Sequence, residues 1–190
     1  FSSFNPQGCT VTAFKAPTAE ELGHDFLWRI HQHTPRHGEV AVFNRSHYED
    51  VLVVRVENLV PEAVWSRRYA QINDFEAALA AGGTRVVKLF LHISRDEQKL
   101  RFQERLQERS KQWKFDPADL DKRARWDDYR LAFEAAISRC STEGAPWYVI
   151  PADRKWFRDF AVSQVLRQEL ERLPLRWPKP EFDPKTIRIE

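Results

Sequence analysis

The stretch GEVAVFNRSHYED, residues 38–50, decides how this chain is read. Its apolar run, residues 39–43, is rich in Val and Phe, as buried parallel strands tend to be. The run then breaks into Asn44, Arg45 and Ser46, with Glu49 and Asp50 about one helical turn further on. A buried strand that releases polar side chains at its carboxyl end fits an open α/β sheet, in which ligands sit at that edge.

Working outward, residues 10–14, 85–93 and 147–150 read as three more buried strands. Helical signals separate them. Thr18-Ala19-Glu20-Glu21 fits a capping box, and Leu22, Phe26 and Ile30 recur at helical spacing after it. Pro61 opens a long helical segment and Gly82-Gly83 closes it. Ser94-Arg95-Asp96-Glu97 is a second capping box, Asp116-Pro117 starts another helix, and Asp153 is expected to cap the last, which runs to about Leu173. This alternation predicts right-handed crossovers and a three-layer α/β/α fold, its parallel sheet covered on both faces. Residues 1–174 are expected to form one domain and 175–190 an extended tail, which Trp177 and Phe182 pin to the body or to a partner subunit.

Composition narrows the function. Across 190 residues, 30 Lys and Arg stand against 28 Asp and Glu, a net charge of +2, which argues against a bulk-basic nucleic-acid binder. No apolar run approaches the ~20 residues that span a bilayer, so no membrane association is expected. Cys9 and Cys140, two cysteines far apart, favour a reducing, cytoplasmic setting over a disulfide framework. His31, His33 and His37 crowd one loop, which reads as a polar loop rather than a metal site.

Each predicted strand end carries a cation before a helix start: Lys15, Arg45, Arg95, and Arg154 with Lys155. Such edges are either ordinary caps with surface charge or, taken together, a rim for phosphate. Arg45 either clamps a phosphate or pairs internally with Glu49. Glu49 and Asp50 either hold Mg²⁺, orient an acceptor or cap a helix. Residues 99–114 hold six cations (Lys99, Arg101, Arg105, Arg109, Lys111 and Lys114) against Glu104 and Glu108, a local charge of +4. Arg101, Arg105 and Arg109 step by four and share one helix face, which either is solvated or lines a channel for a polyanion. Asp127 and Asp128, beside Trp126 and Tyr129, are hydrogen-bond anchors or acceptor-positioning groups.

Seven stretches together carry a resemblance. They are FKAPTAEELGHDFLWRIH (14–31), FNRSHYEDVLVVRV (43–56), RYAQINDFEAAL (68–79), KLFLHISRDEQKLRFQERL (88–106), KQWKFDPADL (111–120), RWDDYRLAFEAAI (125–137) and APWYVIPADRKWFR (145–158). In this order they resemble the polyphosphate kinase 2 family of P-loop phosphotransferases. The resemblance implies phosphate exchange between inorganic polyphosphate and a purine nucleotide (AMP, ADP or ATP), with Mg²⁺ as cofactor. It implies a P-loop kinase-like fold with a cationic lid over about residues 95–130, and a homo-oligomer, either dimer or tetramer. Asn44, Arg45, Glu49 and Asp50 are the candidate catalytic residues. Lys15, Arg55, Lys99, Arg101, Arg105, Arg109, Lys114, Asp127 and Asp128 are the candidate substrate-binding residues. Asn44 stands where other branches carry Asp, and this form resembles the branch acting on AMP as well as ADP. The family's Gly-x-Asp-x-x-Gly-Lys loop is expected ahead of the segment matching Asn5–Phe14, so the chain reads as truncated before it. A non-catalytic polyanion-binding or oligomerisation module, and a nucleotide or small-metabolite kinase of related fold, are the alternative readings.

Overall fold

Strands form at all four predicted runs: β1 at Cys9–Ala13, β2 at Val40–Asn44, β3 at Lys88–His92 and β4 at Trp147–Pro151. The computed structural model describes residues 5–177 and 179–188; residues 1–4, Pro178 and residues 189–190 of the expected domain and tail lie outside the described residues. β1 pairs in parallel with β2, from Cys9 opposite Val40 to Ala13 opposite Asn44. β3 pairs in parallel with β4, from Lys88 opposite Trp147 to His92 opposite Pro151. Among the described residues the four strands form two parallel pairs, with no ladder between β2 and β3. Side chains bridge that divide instead, with Lys88 at the head of β3 donating to the Tyr48 hydroxyl just beyond β2. The strand faces are also only partly covered, since Val11, Leu91 and Val149 are exposed.

The helices show where local signals suffice. Thr18 forms its capping box with Glu21, but the expected continuous helix through Ile30 is two single turns, α1 at Ala19–Leu22 and α2 at Trp28–His31. Asp25 explains the break: its carboxylate accepts from the Leu27 amide and so starts a new turn. A 3-10 turn at His47–Asp50 follows β2 and leads into α3, Val53–Val56. The long helix α4, Glu62–Ala81, begins after Pro61 and closes through Gly82 and Gly83, where Gly83 takes φ 87°. α5 spans Arg95–Gln107, α6 Ala118–Ala124, α7 Trp126–Cys140 and α8 Lys155–Glu171. Asp153 does not cap α8; its carboxylate accepts from the Ser94 amide across the strand ends, 2.7 Å away.

Two apolar clusters fix these elements. The larger joins Tyr48, Val51, Leu52 and Val56 to Tyr69 and Ile72 of α4 and to Ala132, Ala136 and Cys140 of α7. The α7 residues recur every four positions and are small, which lets that helix lie close against α4. Ile72 is fully buried, and a side chain of its size gains about 1.5–3 kcal/mol from burial. The second cluster, Phe14, Ile30 and Phe75 with Phe43 and Leu79 against it, fastens the β1–β2 pair to α2 and α4. It places the carboxyl ends of β1 and β2 side by side. In the tail, Trp177 is 95% exposed and Phe182 59%, so of the two expected anchorages neither ring takes the one on the body.

Candidate active site

At the paired ends of β1 and β2, a cleft of about 230 Å³ is lined by Ala13, Phe14, Lys15, Ala16, Asn44 and Arg45. Register creates it, because Ala13 lies opposite Asn44 and each chain then turns away. Arg45 turns with φ 61°, the left-handed region that side chains seldom adopt. Such a conformation costs roughly 1–3 kcal/mol and persists only where the surroundings enforce it. Ser46 enforces the next step, its hydroxyl accepting from the Tyr48 amide at 3.3 Å. Lys15 and Arg45 are exposed and take no carboxylate partner among the described residues. Two uncommitted cations thus face one cleft.

Behind the cleft lie two carboxyls. Burial raises Asp50, while Arg68 and, more weakly, Arg29 oppose the rise. Arg68 donates to Asp50 Oδ1 at 2.7 Å and to its carbonyl at 3.2 Å, with its guanidinium over the Phe26 ring at 4.8 Å. Asp50 is therefore a partner for Arg68 rather than a free ligand. Burial also raises Glu49, with Arg45 pulling it down and Asp50 pushing it up. The Glu49 carboxylate accepts no hydrogen bond among the described residues, and the Arg45 charge is the largest influence opposing its rise. Arg29 adds a third cation: it donates to the Lys15 carbonyl at 2.8 Å and to Glu21 at 3.2 Å, over the Phe14 ring. Sequence reading missed Arg29 and Arg68. Neither stands at a strand end, and only the packing of α2 and α4 brings them there.

The other expected residues separate. Arg55 donates to the Tyr69 hydroxyl at 3.2 Å and stacks over Trp65, away from the cleft. In α5, Arg101 turns inward to Glu97 and to the carbonyls of Ala152 and Asp153, tying the helix to the end of β4. Arg109 lies beyond the end of α5, so the expected three-arginine face stops at Arg105. Lys99, Arg105, Arg109 and Lys114 take no ion-pair partner among the described residues; Lys114 lies over Trp113 at 5.1 Å. Lys111 is held by Glu104 and Glu108. Asp127 pairs with Arg130 and Asp128 with Arg125, which also reaches Glu57 and the Val56 carbonyl. The adjacent Tyr129 hydroxyl donates to Glu57 at 2.9 Å, and burial with that carboxylate pushes its pKa up. Both aspartates thus serve helix-start ion pairs. A second, larger cleft of about 380 Å³ lies at the ends of β3 and β4, walled by His92, Pro151, Trp156 and Phe157, with Ser94, Asp153 and Arg154 at its polar side.

With two parallel strand pairs, cation-bearing carboxyl ends and a cationic helical segment established, comparison with known proteins is decisive. The family model "Polyphosphate kinase 2 (PPK2)" matches residues 1–175. The chain belongs to the polyphosphate kinase 2 family. It is 54% identical over 190 residues to an AMP/ADP-polyphosphate phosphotransferase of Meiothermus ruber, covering 100% of this chain and 71% of that protein. It is 48% identical to an ADP-polyphosphate phosphotransferase of Rhodopseudomonas palustris, covering 94% of this chain and 66% of that one. A crystal structure of polyphosphate kinase 2 from Arthrobacter aurescens TC1 superposes with a TM-score of 0.92 at 53% identity, over 94% of this chain and 63% of that chain. The polyphosphate kinase 2 chain in hand therefore has the expected α/β, P-loop kinase-like architecture. It spans about two thirds of the length of these relatives.

Proposed function

We propose that this chain carries the acceptor side and lid of a phosphotransferase that moves phosphate between inorganic polyphosphate and AMP or ADP. The observation that carries the reading is the β1–β2 cleft, where Lys15 and a conformationally constrained Arg45 present unpaired cations at adjacent strand ends. Phosphoryl transfer depends on positioning and charge neutralisation. A guanidinium meets a phosphate with two parallel N–H donors, and an ammonium adds a point charge. Arg45 then orients the acceptor phosphate and Lys15 neutralises it. The unpaired cations Lys99, Arg105, Arg109 and Lys114 suit a linear polyanion, whose successive phosphates need repeated charge rather than one pocket.

Mg²⁺ fits these residues in a limited way. It usually keeps several waters and binds one or two carboxylates plus substrate phosphates. Glu49 is the carboxylate at this strand end whose oxygens take no hydrogen bond among the described residues, and Asn44 offers a neutral oxygen in the same cleft. When bound by Glu49 and Asn44, Mg²⁺ would supply positive charge to neutralise the transferring phosphate. Asp50 stays with Arg68. No described helix is long and apolar enough to cross a membrane, and a cytoplasmic homo-oligomer acting on purine nucleotides (AMP, ADP, ATP) completes the reading. The bare Trp177 ring in the tail supports assembly with a further copy.

The test mixes the full-length protein with polyphosphate, Mg²⁺ and either ADP or AMP, and assays ATP or ADP formation. Product from either acceptor is expected. Salt-sensitive polyphosphate binding with no product would overturn the catalytic reading in favour of a binding module.

A further inference from the structure

A buried carboxylate that the proposed chemistry does not touch stands behind Arg45. Glu76, 1% exposed on α4, accepts from three donors: Lys88 Nζ at 2.5 Å, the Tyr48 hydroxyl at 3.0 Å and His47 Nε2 at 3.2 Å. Lys88 also donates to the Tyr48 hydroxyl at 2.9 Å and to the Cys140 carbonyl at 2.6 Å. One carboxylate thus ties together α4, β3, α7 and the 3-10 turn that begins two residues after Arg45.

Lys88 alone neutralises Glu76. The two further donors are consecutive residues, and both belong to the turn that follows the strained Arg45. His47 is also an inefficient core residue. With Nε2–H donating to Glu76, its Nδ1 is a buried acceptor with no partner among the described residues. An unpaired buried nitrogen costs stability that an apolar side chain of similar size would not. The imidazole packs edge-to-face on Phe75, so its ring plane is fixed as well as its bond. What this arrangement secures is direction: with His47 and Tyr48 anchored, the chain between them and Asn44 has little freedom, and Arg45 is held at φ 61°.

We infer that His47, held by Glu76, is a positioning residue for Arg45, fixing where the guanidinium meets phosphate. The inference rests on the reading of Arg45 as a phosphate ligand, and the two fail differently. Tripolyphosphate binding to the whole chain is measured by calorimetry for the parent, Arg45→Ala, His47→Leu, His47→Gln and the Arg45→Ala/His47→Leu double variant, each checked by its melting curve.

Loss of a charge-assisted bidentate contact should weaken Arg45→Ala about tenfold. His47→Leu should weaken binding about three- to tenfold while Arg45 is present and by less than twofold when it is absent. His47→Gln, whose amide N–H can reach Glu76, should restore most of the affinity. Unchanged binding in Arg45→Ala overturns the reading of the cleft. Weakening in Arg45→Ala with additive losses in the double variant, or with no loss in His47→Leu, overturns the positioning inference alone. Should His47→Leu not fold, Tyr48→Phe takes its place in the same cycle. It removes a second donor to Glu76 while keeping the ring, and additivity with Arg45→Ala overturns the inference equally.

Discussion

Replacing Arg45 by Gly and by Ala separates its conformational cost from its chemistry. Arg45 is exposed and has no ion-pair partner among the described residues, so loss of its side chain removes little packing. Its φ of 61° is kept by Ala, which has a Cβ, and is unstrained for Gly. Ala should therefore leave stability nearly unchanged. Gly should relieve about 1 kcal/mol of left-handed strain, less whatever extra freedom it gives the unfolded chain. For a chain of this size that places the Gly variant up to about 2–4 °C above the Ala variant in Tm. Both lose the guanidinium and should lose phosphate transfer together. Burial already raises Glu49, and Arg45 is the first group opposing that rise, so either variant should move the Glu49 carboxyl further up.

The assay pairs thermal melts with phosphate transfer in the complete enzyme and tripolyphosphate binding to this chain. Full activity in either variant would refute the role of Arg45. A Gly variant clearly less stable than the Ala variant would refute the left-handed turn, because Gly is destabilising relative to Ala at ordinary φ.

Two further perturbations probe the frame. The Arg85 hydrogen bond is the first cause holding Glu169 below the usual carboxylate range, assisted by the Tyr148 hydroxyl. A depressed carboxyl contributes stability at pH above its unfolded pKa of about 4.3, and loses it as pH falls through the lower folded value. Arg85→Ala should thus be destabilising at neutral pH, with the gap to the parent closing below about pH 4; a gap constant from pH 7 to pH 3 in denaturant titrations would contradict this. Arg101→Ala should lower Tm, since its guanidinium holds the Ala152 and Asp153 carbonyls, whereas Arg105→Ala should leave Tm alone and reduce the salt-sensitive part of polyphosphate binding. Equal effects on both measurements would show that the two arginines do not divide this way.

Features encoded within a few residues were legible from sequence. The capping box at Thr18, the Pro61 start and the Gly83 stop each depend on one turn of chain, and each is found. Arg45 and Lys15 were legible because a strand end is a local feature, and pairing register then brings them together. The break at Asp25 was not, because its carboxylate competes with helix continuation at a position where helical spacing persists on either side. Asp153 shows the same limit at longer range: a capping residue by position, it finds the Ser94 amide, 59 residues away in sequence, only once β3 and β4 lie in register. The Glu76 network was illegible for a further reason. His47 and Tyr48, Glu76 and Lys88 come from three separate stretches of the chain and meet only on folding.

The charge count has the same structure. A segment of sixteen residues carries +4, yet its cations are not equivalent once folded. Arg101 is directed into the body and Lys111 is enclosed by Glu104 and Glu108, so these two cations offset the segment's two acids. What remains toward solvent is Lys99, Arg105, Arg109 and Lys114, spread from α5 across the chain that follows it rather than along one helical stripe. A helix face would match a polyanion of one fixed curvature. Four long side chains on a helix, a loop and a 3-10 turn can instead follow a flexible chain of phosphates whose length varies. On the proposed function, the cations that sequence reading placed on one helix face suit polyphosphate better because the stripe is broken.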